Sequence, residues 1–187
     1  MIIPVLGMDP SLTNWGLASA NLDLETGYLS TPHVQLVSPD KIKGKQVRVN
    51  SEDLHRSEQL AQAVFAAAKT PKAVFVEVPV GSQSARAMAS YGICIGILGA
   101  LRAKGIPIIE VTPTEVKVAY TGNKNATKDQ MIEQSLALYP EVNFPMFKGK
   151  PAQKAEHLAD AIATIHAGVH TPAFQTILRF YKDTQNS

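Results

Sequence analysis

One cysteine cannot make an intrachain disulfide, and Cys94 stands alone in this sequence. It sits in an apolar run, where a thiol packs as a small hydrophobe rather than reacts. Without a disulfide framework the expected setting is a reducing cytoplasm. The sequence also lacks any run of about 18 uninterrupted apolar residues, so no transmembrane helix is expected. The opening MIIPVLGMDP has neither the basic start nor the pattern of a secretory leader. Charge of one sign is missing too: 18 Lys and Arg face 16 Asp and Glu, a net +2. That balance permits nucleic-acid binding without arguing for it. No internal repeat or linker composition divides the chain, so residues 1–187 read as one domain with a C-terminal tail from about 171. With 45% hydrophobic and 18% charged residues it can bury a core unaided.

What is present is a run of short apolar segments followed by an alternation. Ile2 to Met8 reads as a buried strand stopped by Pro10. Trp15 to Leu22 and Val34 to Val37 follow as strands, with Glu-Thr-Gly as a turn signal between them, which makes an antiparallel meander. The stretch 39–50 carries Lys41, Lys43, Lys45 and Arg48 around Gly44 and reads as a flexible basic loop. Ser51 to Lys69 has the periodicity of an amphipathic helix with an acidic first turn. Next come a buried strand, AVFVEV at 73–78, a long apolar helix at 84–104 ended by Gly105, and a strand at 107–111. A short helix opens with Pro113, and Thr127 caps a helix running to about Leu138. The stretch 144–151 reads as loop, 152–168 as the last clear helix, and the tail as amphipathic at best. Strands in a run, then strands alternating with helices, predict an α/β fold: a mixed sheet flanked by helices on both faces.

Three carboxylates stand in unlikely places. Asp9 ends the first strand, Glu77 interrupts an otherwise apolar strand, and Asp160 lies in HLADAIATI among apolar neighbours. A buried carboxylate without a partner is costly. Convergence of all three on a divalent metal would explain them, since Mg²⁺ prefers oxygen ligands and keeps several waters. Each also has a purely structural explanation: an Asx-type turn near Leu12 for Asp9, a pair with Lys154 or a helix edge for Asp160. Glu156 and His157 precede Asp160 by four and three residues, on the same side of a helix. Either could complete a metal site, and a lone helical histidine can equally be a surface or hydrogen-bonded group.

Four blocks in order carry a family resemblance: GMDPSLTNWGLA at 7–18, VFVE at 74–77 with the helix ARAMASYGICIGILGALRAKG at 85–105, VKVAYTGNKNATKDQM at 116–131, and HLADAIATIHAG at 157–168. Over roughly residues 1–168 the chain resembles RuvC-type Holliday junction resolvases and is compatible with a phage member, which implies the cytoplasm of a bacterial cell or a phage-infected host. The resemblance implies an RNase H-like fold with a five-stranded mixed sheet, a homodimer, and a two-metal active site that hydrolyses branched DNA with Mg²⁺, Mn²⁺ being able to substitute. It places the family's metal-binding, catalytic acids on Asp9, Glu77 and Asp160, and its fourth position on His157, where some members carry histidine. Two ions bridging the scissile phosphate would activate a water and stabilise the leaving oxygen.

The resemblance also puts Lys117 and Lys128 at phosphate-contacting positions, with Lys124 in the same loop; such contacts give affinity but no sequence information. Ser82 and Gln83, at a helix N-terminus, and Arg86 are further DNA-binding candidates. Where the family often carries an aromatic wedge after the strand glutamate, this chain has Val78-Pro79-Val80. The helix 84–104, apolar almost all round with Gly92, Gly96 and Gly99, reads as buried on several sides, and the resemblance adds a dimer interface along part of it. Two other readings compete. GMDPSLTNWG also resembles the phosphate strand of actin-like kinases and ATPases, which need a second domain that 187 residues do not hold. A catalytically silent branched-DNA binder of the same fold is the other.

Overall fold

The structure is a computed structural model describing residues 1–44 and 48–185. Lys45 of the basic loop lies outside the described residues. Five strands form one mixed sheet: β1 (Ile2–Asp9), β2 (Trp15–Asp23), β3 (His33–Val37), β4 (Ala73–Glu77) and β5 (Ile108–Val111), in the order β3-β2-β1-β4-β5. β1, β2 and β3 pair antiparallel, as the meander reading expects, and β4 and β5 add parallel to β1. Parallel strands need crossovers, supplied by α1 (Val49–Ala67) before β4 and α2 (Ala85–Ala103) before β5.

Side chains alternate across a strand, and the sheet sorts them into two cores. Leu6, Met8, Leu17, Val74 and Val76 face one side, with Leu60 and Val64 of α1 and Cys94, Ile97, Leu98 and Leu101 of α2. Ile3, Val5, Ala18, Phe75 and Ile109 face the other, under α5 (Ala155–Gly168). Two helices pack on α5 in turn, α3 (Pro113–Thr121) and α4 (Lys128–Leu138). Each opens with a full capping box, Thr112 with Glu115 and Thr127 with Gln130, so both N-termini are fixed by local chemistry. Burial of Cys94 pushes its thiol up to about 12, so it is inert.

Four sequence expectations change. The tail beyond Thr171 is a helix, α6 (Pro172–Gln185), seated by Phe174, whose ring packs edge-on against Phe75. The stretch 144–151 contains a small hairpin, β6 (Met146–Phe147) and β7 (Lys150–Pro151). The described part of the basic loop is held to α1: the amides of Asp40 and Ile42 donate to Gln59 and Glu52. Most consequentially, α2 is not wrapped on several sides. Only Cys94, Ile97, Leu98 and Leu101 are buried, Met88 and Ile95 are about half exposed, and the space beside Gly92, Gly96 and Gly99 is open.

Among the described residues, no helix is long and apolar enough to cross a membrane.

Candidate active site

Alternation along the strands decides which face each acid takes. Ile3, Val5 and Gly7 of β1 face α5, so Asp9, two residues further on, faces it as well; Ala73 and Phe75 do the same for Glu77. β1 and β4 are parallel neighbours with Met8 opposite Val76, so both carboxylates leave the sheet at the carboxyl ends of adjacent strands. That end is where open α/β sheets bind ligands.

The third acid arrives on α5, and glycine determines how closely. A Cβ on Gly16 would run into the carbonyl of His157, one on Gly7 into the carbonyl of Ala161, and one on Gly168 into the Phe75 ring. The helix backbone therefore lies directly on β1 and β2, nearer than any side chain would permit. The result is a hydrogen bond of 2.6 Å between His157 Nδ1 and Asp9 Oδ2. This is the partner Asp9 takes, in place of an Asx turn. Gly16 and Gly7 belong to the GMDPSLTNWG block, yet no sequence signal identified them as the seat of the helix. A glycine inside a strand is the signal that was there to read, because it marks close backbone approach.

The electrostatics follow from crowding. Burial first, then the charges of Asp9 and Asp160, push Glu77 up to about 8, against a smaller opposing pull from Lys117. Burial, then Asp9 and Glu156, push Asp160 up to about 7, with His157 and Lys117 pulling the other way. Burial lowers His157, but its hydrogen bond to Asp9 and the charges of Asp9, Glu156 and Asp160 outweigh this and leave it above its ordinary value. Asp9, Glu77, His157 and Asp160 thus share one field, and Lys117 lies close enough to enter it.

The remaining candidates separate. Glu156 is buried and holds Lys128, Nζ to Oε2 at 2.6 Å, while its other oxygen stands 3.7 Å from His157 Nε2. Lys124, Ser82 and Gln83 are exposed. Ser84 caps α2 by accepting from the amide of Ala87. Arg86 makes two hydrogen bonds, of 2.5 and 2.6 Å, to the buried Asp53 of α1, so its guanidinium ties the start of α2 to α1. Val80 is 78% exposed just past Glu77.

Among the described residues no three His, Cys, Asp or Glu side chains close on one metal-sized point. The fit to a cation rests on charge and donor type: partly or fully enclosed carboxylates that repel one another, with one imidazole, lack the positive charge that a hard divalent ion brings.

An acidic cluster at the carboxyl ends of parallel strands, on a sheet in this order, defines a member of the RNase H-like class of α/β proteins. The fold recurs in Thermus thermophilus RuvC in complex with Holliday junction substrate, with a TM-score of 0.57 over 88% of this chain and 92% of that one, at 23% identity. The chain belongs to the RuvC family of crossover junction endodeoxyribonucleases. It is 30% identical over 145 residues to the RuvC of Nitratidesulfovibrio vulgaris strain DP4, covering 74% of this chain and 81% of that one. It is 31% identical over 162 residues to the RuvC of Bifidobacterium adolescentis, covering 84% and 77%. No family model matches. Membership in this family displaces the kinase reading of the first block.

Proposed function

We propose that this chain is a homodimeric, structure-selective endonuclease that resolves Holliday junctions and related branched DNA by symmetric phosphodiester hydrolysis. The observation that carries the reading is the convergence of Asp9, Glu77 and Asp160 into one field of mutually repelling carboxylates, with His157 hydrogen-bonded to Asp9, on a frame shared with this family.

Asp9 is central, between Glu77 on the neighbouring strand and His157 on α5. It would serve as the common ligand of two Mg²⁺, or of Mn²⁺ in their place, with Glu77 on one side and Asp160 with His157 on the other. When bound, such ions polarise the scissile phosphate and make a coordinated water more acidic. The protein's own part is positional. The glycine seat fixes α5 against the sheet, so Asp160 and His157 keep their distance from Asp9 before substrate arrives. His157 orients the Asp9 carboxylate through Nδ1. Lys117, already within the field of Glu77 and Asp160, would offset phosphate charge at the reacting centre, and Lys128, paired with Glu156 beside His157, and the exposed Lys124 would meet flanking phosphates. The exposed apolar face of α2 suits a second copy of the chain, and two sites related by a two-fold axis suit two symmetric cuts.

The test is cleavage of a synthetic four-way junction beside a Y-fork and a plain duplex, with a Mg²⁺ titration. Wild type is expected to cut branched DNA in a metal-dependent way. Asp9→Asn should lose on the order of 10³-fold or more in rate while still binding the junction in Ca²⁺. Cleavage by Asp9→Asn within tenfold of wild type sinks the assignment. Junction binding without cleavage by wild type would establish the silent binder instead.

A further inference from the structure

From residue 142 to residue 155 the chain carries three lysines, Lys148, Lys150 and Lys154, and no acid. The β6–β7 hairpin lies in this stretch. Met146 opposes Pro151 and Phe147 opposes Lys150. The two-residue turn Lys148-Gly149 has φ values of 51° and 77°, the pattern of the tight hairpin turns whose twist suits paired strands. At its base the amide of Ala152 donates to the Pro145 carbonyl at 2.7 Å. Met146 and Phe147 are 61% and 65% exposed, and Lys148 Nζ stands 5.4 Å from the centre of the Phe147 ring. A large aromatic held out in water on a pinned turn, with cations around it, has the make-up of a stacking platform for single-stranded bases. A protein-binding face would be depleted of lysine rather than surrounded by it.

Position sharpens the reading. β7 ends at Pro151, and α5 begins at Ala155 with His157 in its first turn. Five residues lie between Pro151 and His157, so the base of the hairpin is no more than about 22 Å along the chain from His157, and Phe147, ten residues before it, no more than about 35 Å.

We propose that the β6–β7 hairpin is a base-stacking finger: Phe147 stacks on a base that is unpaired or unstacked at the branch point, with Lys148 and Lys150 against the flanking phosphates. The inference rests on the branched-DNA reading above. The finger supplies selectivity for branched over continuous DNA, since a base inside an intact duplex offers no free face, and it engages one strand just outside the cutting site. The backbone of the hairpin stays intact when Phe147 is changed, because the ring packs on nothing in the core.

The experiment is binding of a four-way junction, a Y-fork and a blunt duplex of matched composition, in Ca²⁺, by wild type, Phe147→Ala, Phe147→Leu and Phe147→Trp. Phe147→Ala and Phe147→Leu should bind junction and fork about tenfold more weakly, with duplex binding within about twofold of wild type. Phe147→Trp should keep junction affinity within about twofold. Thermal melting of all four proteins should coincide. Photo-cross-linking from 5-iodouracil placed beside the branch should map to the peptide holding Phe147. Wild-type selectivity for the junction that survives unchanged in Phe147→Ala overturns the finger and leaves the function standing. Equal weakening on all three DNAs, or a changed oligomeric state for Phe147→Ala, overturns it as well. A wild type with no preference for branched DNA overturns the functional reading, and the finger with it.

Discussion

Helices α2 and α5 look alike on paper, both dominated by Ala, Gly and Ile, and the fold treats them oppositely. Eleven of the fourteen residues of α5 are buried, against four of the nineteen in α2. The sheet lies under α5, α3 and α4 cover its back, and glycines in β1 and β2 let it touch the strands directly. On α2 the sheet and α1 take one face, and the glycines lie on open space. Apolar composition alone therefore does not report a helix's place. A glycine on α5's side of the molecule is a seat, and a glycine on α2 is an unfilled gap.

The same small substitution at the two places should separate them most sharply. Gly16→Ala drives a methyl into the His157 carbonyl, so α5 must lift or the strand must bend. We expect a loss of about 3 kcal/mol in chemical denaturation and a collapse of cleavage, since Asp160 and His157 move with the helix. Gly96→Ala meets nothing within the subunit, and helix propensity predicts a gain of about 0.5–1 kcal/mol for the monomer. Equal effects of the two would refute the contrast.

Within α5 the two neighbours of Asp160 are also unequal. His157→Ala removes the Asp9 hydrogen bond and a candidate ligand, and should cost about 100-fold in Mg²⁺-dependent cleavage. Glu156→Ala, which frees Lys128, should cost far less. The reverse order in kinetics would transfer the ligand role to Glu156. His157→Asp should stay active, because a carboxylate is the commoner ligand for a hard cation.

The charge on α5's side has a pH signature. Glu77 and Asp160 are held up to about 8 and about 7, so across roughly pH 5–8 the metal-free folded state binds more protons than the unfolded chain. Stability should then fall as pH rises through that window. Glu77→Gln should flatten the fall and gain on the order of 1 kcal/mol at pH 8, while Mg²⁺ should raise the wild-type Tm more at pH 8 than at pH 5.5. A Tm that climbs with pH in EDTA would contradict the crowding.

The smallest effect on the monomer belongs to α2. Ile95→Glu, at a half-exposed position, should leave the thermal transition of dilute protein within about 0.5 kcal/mol yet shift sedimentation towards the monomer. No shift would remove α2 from the proposed dimer interface.

Much of this arrangement was legible in the chain. The strand run, Pro113 at a helix start, the capping Thr127, and the odd placement of Asp9, Glu77 and Asp160 all follow from local chemistry, and they survive in the fold. What stayed hidden depends on distant partners. The β6–β7 hairpin has strands of two residues, too short for any periodicity to register. α6 shows its purpose only once Phe174 meets Phe75. Gly16 looks like a weak strand residue until α5 lies across it. Arg86 reads from the sequence only as a DNA-binding candidate, and its pair with Asp53, 33 residues earlier, shows only in the fold.

The ion pair between Lys128 and Glu156 has one more consequence, for salt. A lysine free in solution keeps company with mobile anions and, on reaching a DNA phosphate, displaces the cations condensed there. Lys128 instead carries its anion built in, 2.6 Å away. If it turns to a phosphate, Glu156 is left to recruit a cation of its own, and the net release of ions from that contact falls towards zero. The affinity of this protein for DNA should therefore weaken less steeply with added KCl than its tally of lysines implies. Glu156→Gln, by returning Lys128 to ordinary lysine behaviour, should make that dependence steeper by about one in the slope of log K against log salt.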